Sequence, residues 1–382
     1  MPDTATPAST ISAERDLRPT ADASLWARLL RVFAWLSLAT ETIIIGTGGA
    51  VRLTGSGLGC SEWPLCTPES LVPIFANDGI HGFIEFGNRL MTGVVGIIAL
   101  AVVLLILHLT GGRPSVFRAL RYAAGGIVVA ALVYGGIALA SAIFSPPFLG
   151  APGYAFPVAT GIVLLAVIAA AIHTSRLTSS RRDLVVLAWV VFAGVVAQAL
   201  VGGITVLTGL NPLIVGFHYT SSLLLVCVTA AFLVRVYSAP GPRERAVPVW
   251  FTILSHVTGL ALAVTILFGV LTTGSGPHSG DQDVLRHGFD ATVLAHVHSW
   301  PGYILAGLVV VLTIAAWVLR LEPRKWLLVL VLAIVVQVGV GVWQAREGLP
   351  PLLVGIHMVL ASLSAATYTV VVLHLKHPVS AE

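Results

Sequence analysis

The sequence predicts an all-α, polytopic membrane protein on three grounds: an extreme apolar composition, ten apolar runs of spanning length, and an internal repeat made of whole helices. Of its 382 residues, 57% are hydrophobic and 10% charged, with a mean hydropathy of +0.94. Soluble domains carry about 25% charged residues. The formal charge of +4 comes from basic residues in short loops, where they orient helices, so it does not point to nucleic acid.

The first 27 residues are rich in Ala, Thr, Ser and Pro and lack an apolar core, so they read as a disordered cytoplasmic tail without a cleaved signal. Crossing about 30 Å of hydrocarbon takes about 20 apolar residues. On that measure, spans are expected at 28–51, 81–109, 121–144, 153–174, 184–207, 213–236, 249–272, 291–319, 326–345 and 351–374. Basic residues lie on alternate sides of this series: Arg28 and Arg31, Arg113 to Arg121, Arg176 to Arg182, Arg235 to Arg245, Arg320 to Lys325, and Lys376. That bias predicts a multi-pass plasma-membrane protein with both termini cytoplasmic and the loops 53–80 and 273–290 outside. Of three cysteines, Cys60 and Cys66 share the first outer loop, where a disulfide persists and could act as a simple staple. Cys227 lies mid-span and reads as a small apolar residue.

Residues 198–218 and 337–357 align without a gap and agree at 10 of 21 positions, among them Gln198/Gln337, Gly202/Gly341, Pro212/Pro351 and His218/His357. Thr54-Gly-Ser-Gly57 and Thr273-Gly-Ser-Gly276 echo each other in the same way. The chain therefore reads as two parallel four-helix units. Residues 28–237 form an N-terminal bundle with an inserted hairpin, 121–174. Residues 249–375 form a C-terminal bundle, and 376–382 a second tail.

Imidazoles within a membrane usually face a bundle interior and carry function. His218 and His357 each lie six residues after a helix-starting proline, roughly 9 Å along the helix, so they share a depth near the outer surface. A single such histidine can be explained by an interhelical hydrogen bond. A duplicated pair suits axial ligation of haem iron from facing helices, and His298 with His357 is the best bis-histidine candidate. His296 lies about 200° around the helix from His298, so only one of them can face the core. His298 is preferred because it is level with the outer edge of the run 298–319. His278 and His287 fall in the second outer loop. His108, His173, His256, His374 and His377 lie near cytoplasmic ends.

On the second span, His81, Glu85 and Asn88 follow at steps of four and three and share one face. A partly desolvated carboxylate at that position suits proton transfer. The simpler account of Glu85 is an ion pair with Arg89.

These pieces together, Gly55-Ser56-Gly57-Leu58-Gly59-Cys60, Trp63-Pro64-Leu65-Cys66, Glu85-Phe86-Gly87-Asn88-Arg89 and Pro212 to His218, resemble the haem A synthases of bacteria and mitochondria, most of all an actinobacterial form with Asn in place of one histidine. The resemblance covers the chain except the tail and the 121–174 hairpin. It implies an oxidoreductase that converts haem O to haem A by oxidising the C8 methyl group to a formyl, through two hydroxylations and a dehydration with water as the oxygen source. It further implies Glu85 as the catalytic carboxylate, Cys60 and Cys66 as a redox pair, and His218 as a ligand of the substrate haem near Asn88 and Arg89. His298 and His357 become the ligands of a haem B cofactor. The implied partners are haem O synthase, cytochrome c oxidase assembly, an unidentified electron acceptor and membrane lipid, with a homo-oligomer left open.

Three departures qualify the resemblance. Asn88 stands where the family has a histidine, and an amide is a poor iron ligand, so the substrate iron has either His218 alone or His218 with His81. The second outer loop has no cysteines, and the hairpin 121–174 is additional. The rival from another class is a non-enzymatic diheme b-type electron-transfer protein, and a third reading is a haem or metabolite transporter.

Overall fold

The computed structural model describes residues 21–144, 154–275 and 291–379. His278, His287 and most of the second outer loop lie outside them. Nine helices among the described residues are long and apolar enough to cross a membrane. They are α1 (Ala21–Leu53), α2 (Phe75–Phe144), α3 (Ala155–Leu177), α4 (Arg182–Leu207), α5 (Pro212–Val236), α6 (Val249–Ser275), α7 (Ala291–Val318), α8 (Arg324–Arg346) and α9 (Pro351–Leu373).

Ten crossings were expected, and α2 accounts for the difference. Its apolar run Asp78–Phe144 has 67 residues, roughly 100 Å at 1.5 Å per residue, about three times the hydrocarbon thickness. Gly112, at φ 66° and ψ −170°, breaks the helix, and Pro114 follows. The contacts show that the chain reverses there. His108 of the first arm stacks on Trp26 at the start of α1. Along the second arm, Tyr122 meets His173, Gly126 meets Ala166 and Tyr134 meets Phe156, which is the register of an antiparallel hairpin with α3. The arms 80–111 and 113–144 are thus separate crossings, and the second begins eight residues before the expected 121.

Both expected tails are shorter than the sequence suggested. Residues 21–27 already belong to α1, where Trp26 packs on His108. Lys376–Pro378 forms a strand, β2, that pairs antiparallel with β1 (Arg243–Arg245), so this stretch closes the second half back onto the linker between the halves. Helix extension with a ring contact at the first place, and strand pairing at the second, are invisible to hydropathy.

The first half has its core at the end of the bundle that carries the termini, around Ala34, Val103, Leu107, Val185 and Phe232. The core of the second half is built from α6 to α9 around Phe251, Leu312, Leu327 and Leu330. The halves meet where α1 and α5 pack on α9 and α5 packs on α6. In that region the carboxylate of Glu41, 4% exposed, accepts hydrogen bonds from Ser37 (2.9 Å) and from Thr229 across on α5 (2.9 and 2.8 Å). Sequence reading passed over this intramembrane acid, although a charge inside an apolar run is itself a signal of function or specific pairing.

Candidate functional site

At the other end of the bundle the loop 54–74 folds down over the first half. The chain leaves α1 through a turn with Gly55 at φ 63°, and Ser56 N–H returns to the Val51 carbonyl (2.8 Å). Two close approaches then fix the loop. A Cβ on Gly59 would stand 2.4 Å from the His81 backbone, and one on Gly203 of α4 would stand 2.3 Å from the Trp63 ring. Trp63 therefore seats directly on the α4 backbone, with Phe156 of α3 edge-on at 4.9 Å. Only glycine permits either contact.

Beneath this lid Cys60 and Cys66 form a disulfide with both residues at 0% exposure. Glu85, 4% exposed, lies directly under it. One carboxylate oxygen accepts from Cys60 N–H (2.7 Å), and the other from Arg89 Nε (3.1 Å) and Nη2 (2.5 Å). The ion pair with Arg89 is thus present. The Arg89 guanidinium also donates to the carbonyls of Leu65 (2.9 Å), Glu62 (2.9 Å), Pro64 (3.3 Å) and Cys60 (3.4 Å). Arg89 therefore ties lid, disulfide and carboxylate into one unit, a planar five-donor task for which Lys lacks the geometry.

The other first-half candidates are dispersed. His81 is exposed and pairs through Nδ1 with Ser56 Oγ (2.8 Å). Asn88 Oδ1 accepts from Thr47 of α1 (2.7 Å). His218 lies against Gly202 of α4, where an added Cβ would be 3.5 Å from its Cε1. Its Nδ1 is buried without a hydrogen-bond partner. No ring pairing joins His81 to His218 among the described residues.

The second half does bring two histidines together. His298 and His357 face each other with ring centroids 6.1 Å apart and planes at 84°. It is His298, and not the exposed His296, that meets His357. Two glycines make room: a Cβ on Gly269 would lie 2.9 Å from His298 Cε1, and one on Gly341 would lie 3.0 Å from His357 Cε1. His298 Nδ1 donates to the Thr265 carbonyl (2.9 Å), a contact that sets the tautomer and presents Nε2. Gln337 donates to the His357 carbonyl (3.1 Å), whereas His357 Nδ1 and Gln337 Oε1 are buried without partners. The glycine beneath the ring and the orphaned Nδ1 thus recur at His218 and His357, the equivalent positions of the repeat.

His298 and His357 line a largely apolar cavity, with Leu262, Ile266, Leu305, Ile334 and Val354 among its walls. Two metal–imidazole bonds of roughly 2 Å each, plus the reach from ring centre to nitrogen, span about the separation seen between the rings. With its glycine cradles, the orphaned Nδ1 of His357 and its apolar walls, the site fits a metal-centred macrocycle. No cluster of three or more His, Cys, Asp or Glu suited to a bare ion occurs among the described residues.

The remaining histidines follow the expected pattern of polar tips near the termini end. His173 stacks on Tyr122, His374 on Trp326, and His377 contacts Glu244 (2.9 Å). Cys227 is half-buried against the second core. Sequence reading missed Thr265, Gly269, Thr47 and Arg52, whose roles depend on neighbours far along the chain.

Comparison with known proteins gives a consistent answer over part of the chain. Residues 31–141 match the family model described as cytochrome oxidase assembly protein. Curated relatives named heme A synthase are similar to shorter stretches. The protein from Exiguobacterium sibiricum is 40% identical over 78 residues, 20% of this chain and 25% of its own. That from Bacillus cereus strain AH187 is 42% identical over 72 residues, 18% and 22%, and that from Halalkalibacterium halodurans 35% over 80 residues, 21% and 25%. The match thus spans about a quarter of the length of these relatives. No solved structure matches the chain. Residues 31–141, which carry the lid, the disulfide, Glu85 and Arg89, are thus the stretch of this chain that is similar to the family described as cytochrome oxidase assembly protein.

Proposed function

We propose that the chain is a haem A synthase, with a working site for haem O in the first half and a holding site for haem B in the second. One observation carries this reading: a buried carboxylate lies under a disulfide in one half, while the other half has a facing histidine pair in a largely apolar cavity. The relatives' shared name points the same way.

In the holding site His298 and His357 would hold the haem iron through their ring nitrogens, and Gly269 and Gly341 leave room for the rings. Haem B bound there would accept and pass on single electrons. In the working site the methyl oxidation balances as CH3 + H2O → CH2OH + 2 H⁺ + 2 e⁻. A second round gives the gem-diol, which loses water to the formyl. Glu85 is the group placed to take protons, its oxygens oriented by Cys60 N–H and Arg89. Each round releases two electrons, which is the capacity of the Cys60–Cys66 disulfide in going to two thiols. His218 holds the substrate iron, with His81 as the further candidate, while Asn88 and Arg89 fix the face of α2 that meets it. The basic loops support a plasma-membrane location with the disulfide loop outside and both termini inside. Haem O synthase, the cytochrome oxidase assembly machinery and a separate electron acceptor are the partners this activity requires.

The test is a strain in which Glu85→Ala is the only copy. Haem O should accumulate and haem A should vanish from extracted pigment. Unchanged haem A would overturn the assignment. A diheme electron carrier, by contrast, would leave the porphyrin unaltered in wild type and variant alike.

A further inference from the structure

The glutamine of the repeat serves the two halves differently. In the second half, Gln337 of α8 reaches His357 of α9: its Nε2 donates to the His357 carbonyl (3.1 Å) and lies 3.3 Å from the ring Nε2. One side chain thus holds both the backbone and the imidazole of a residue in the facing pair. Gln198 of α4 is its equivalent, twenty residues before His218, but its bonds go elsewhere. Its Nε2 donates to Ser221 Oγ (2.6 Å), and Ser222 Oγ lies 3.3 Å from its Oε1. Ser222 also donates to the His218 carbonyl (2.8 Å), the group that Gln337 serves in the other half.

The sequence explains the divergence. In the alignment that pairs His218 with His357, Ser221 and Ser222 fall opposite Leu360 and Ala361. Neither of these has a hydrogen-bonding side chain, so the following turn of α9 does not compete for Gln337. Gln337 Oε1 is buried without a partner among the described residues, and so is His357 Nδ1. The amide can both donate and accept. Its Nε2 serves a bare ring nitrogen, and rotation about the broad, two-fold terminal torsion brings Oε1 round to accept from a protonated one. When a metal takes one nitrogen of a neutral imidazole, the proton sits on the other. Gln337 can hold that N–H, as the Thr265 carbonyl does for His298 (2.9 Å), and such a bond orients the ring and raises its basicity as a ligand.

We propose that Gln337 is the positioning residue that makes the second half a holding site, by bonding one ring nitrogen of His357 while the other ligates haem iron. In the first half the two serines divert Gln198, so His218 lacks this support and its haem is free to exchange, as a substrate and product must. This rests on the haem reading of the two halves.

The full-length protein, purified with haem B in detergent, is compared with Gln337→Leu, with Leu360→Ser/Ala361→Ser and with His357→Ala for haem content, rate of haem transfer to apomyoglobin, and midpoint potential. The double variant offers Gln337 the serines of the first half without altering the glutamine itself. Gln337→Leu and the double variant should both transfer haem roughly 10-fold faster, the scale of one lost hydrogen bond. Both should shift to a higher potential, because a less basic imidazole stabilises ferric iron less. The reverse exchange, Ser221→Leu/Ser222→Ala, is made in the His357→Ala background and loaded with haem O, which should leave about 10-fold more slowly than from His357→Ala alone. Wild-type rates and potential in both second-half variants, with haem B depleted in His357→Ala, would overturn the role of Gln337 and leave the cavity assignment standing. Equal release of haem O would overturn the role of the serines. If His357→Ala retains as much haem B as wild type, the cavity assignment itself fails.

Discussion

Arg89 concentrates the chemistry of the lid in one side chain, bonding a buried carboxylate and four loop carbonyls. Removing it leaves Glu85 buried without its cation, a change worth on the order of 3 kcal/mol. Arg89→Ala should therefore expose the disulfide: after mild reductant, Cys60 and Cys66 should alkylate rapidly in the variant and slowly in wild type. Equal rates would show that the lid does not depend on this guanidinium. The histidine cradle makes a second residue-scale prediction. Gly269→Ala puts a Cβ 2.9 Å from the His298 ring, whereas Gly307 has nothing within 4 Å. Gly269→Ala should lower bound haem B per polypeptide by half or more, and Gly307→Ala should not change it. The repeat makes the candidate histidines legible in the sequence, and the turn and loop motifs do the same for Glu85 and the cysteines. The pairing of His298 with His357 is legible there as a candidate, whereas the room made for the two rings by Gly269 and Gly341 is not, because it depends on how closely α6 and α8 approach them.

At the scale of elements, hydropathy locates the apolar runs well, because lipid demands a minimum apolar length of every crossing. It places the boundaries less well. The reversal inside α2 depends on Gly112 at φ 66°, a conformation that costs an L-residue about 1–2 kcal/mol. Gly112→Ala should lower the unfolding temperature in detergent, while Gly125→Ala, with open space around it, should leave it unchanged or raise it slightly. The α1–α5 seam offers a further test. The single Thr229 hydroxyl proton is shared between the two oxygens of the Glu41 carboxyl group (2.9 and 2.8 Å). Thr229→Val keeps the volume but deletes that donor, so a loss of about 1–3 kcal/mol is expected by denaturant titration in detergent. No loss would mean that the carboxylate finds other partners.

For the whole molecule, the alternating basic loops predict a definite orientation. Cysteines introduced at the exposed positions Glu69 and Arg245 separate the two faces. An impermeant thiol reagent added to intact cells should label the Glu69→Cys protein alone and reach Arg245→Cys only after permeabilisation. The reverse pattern would invert the topology. Composition, period and spacing establish the all-α membrane class and point to ten crossings, a duplication and most candidate side chains. Each of these is a one-dimensional property, being apolar length, period, or residue type at a fixed spacing. Folding in three dimensions seats the Glu85 carboxylate under the disulfide, sets His81 and His218 apart, brings the rings of His298 and His357 face to face, and makes Arg52 of one half line the cavity of the other. Those outcomes depend on close approach between helices distant in the chain, set by packing and by hydrogen bonds that buried polar groups must find.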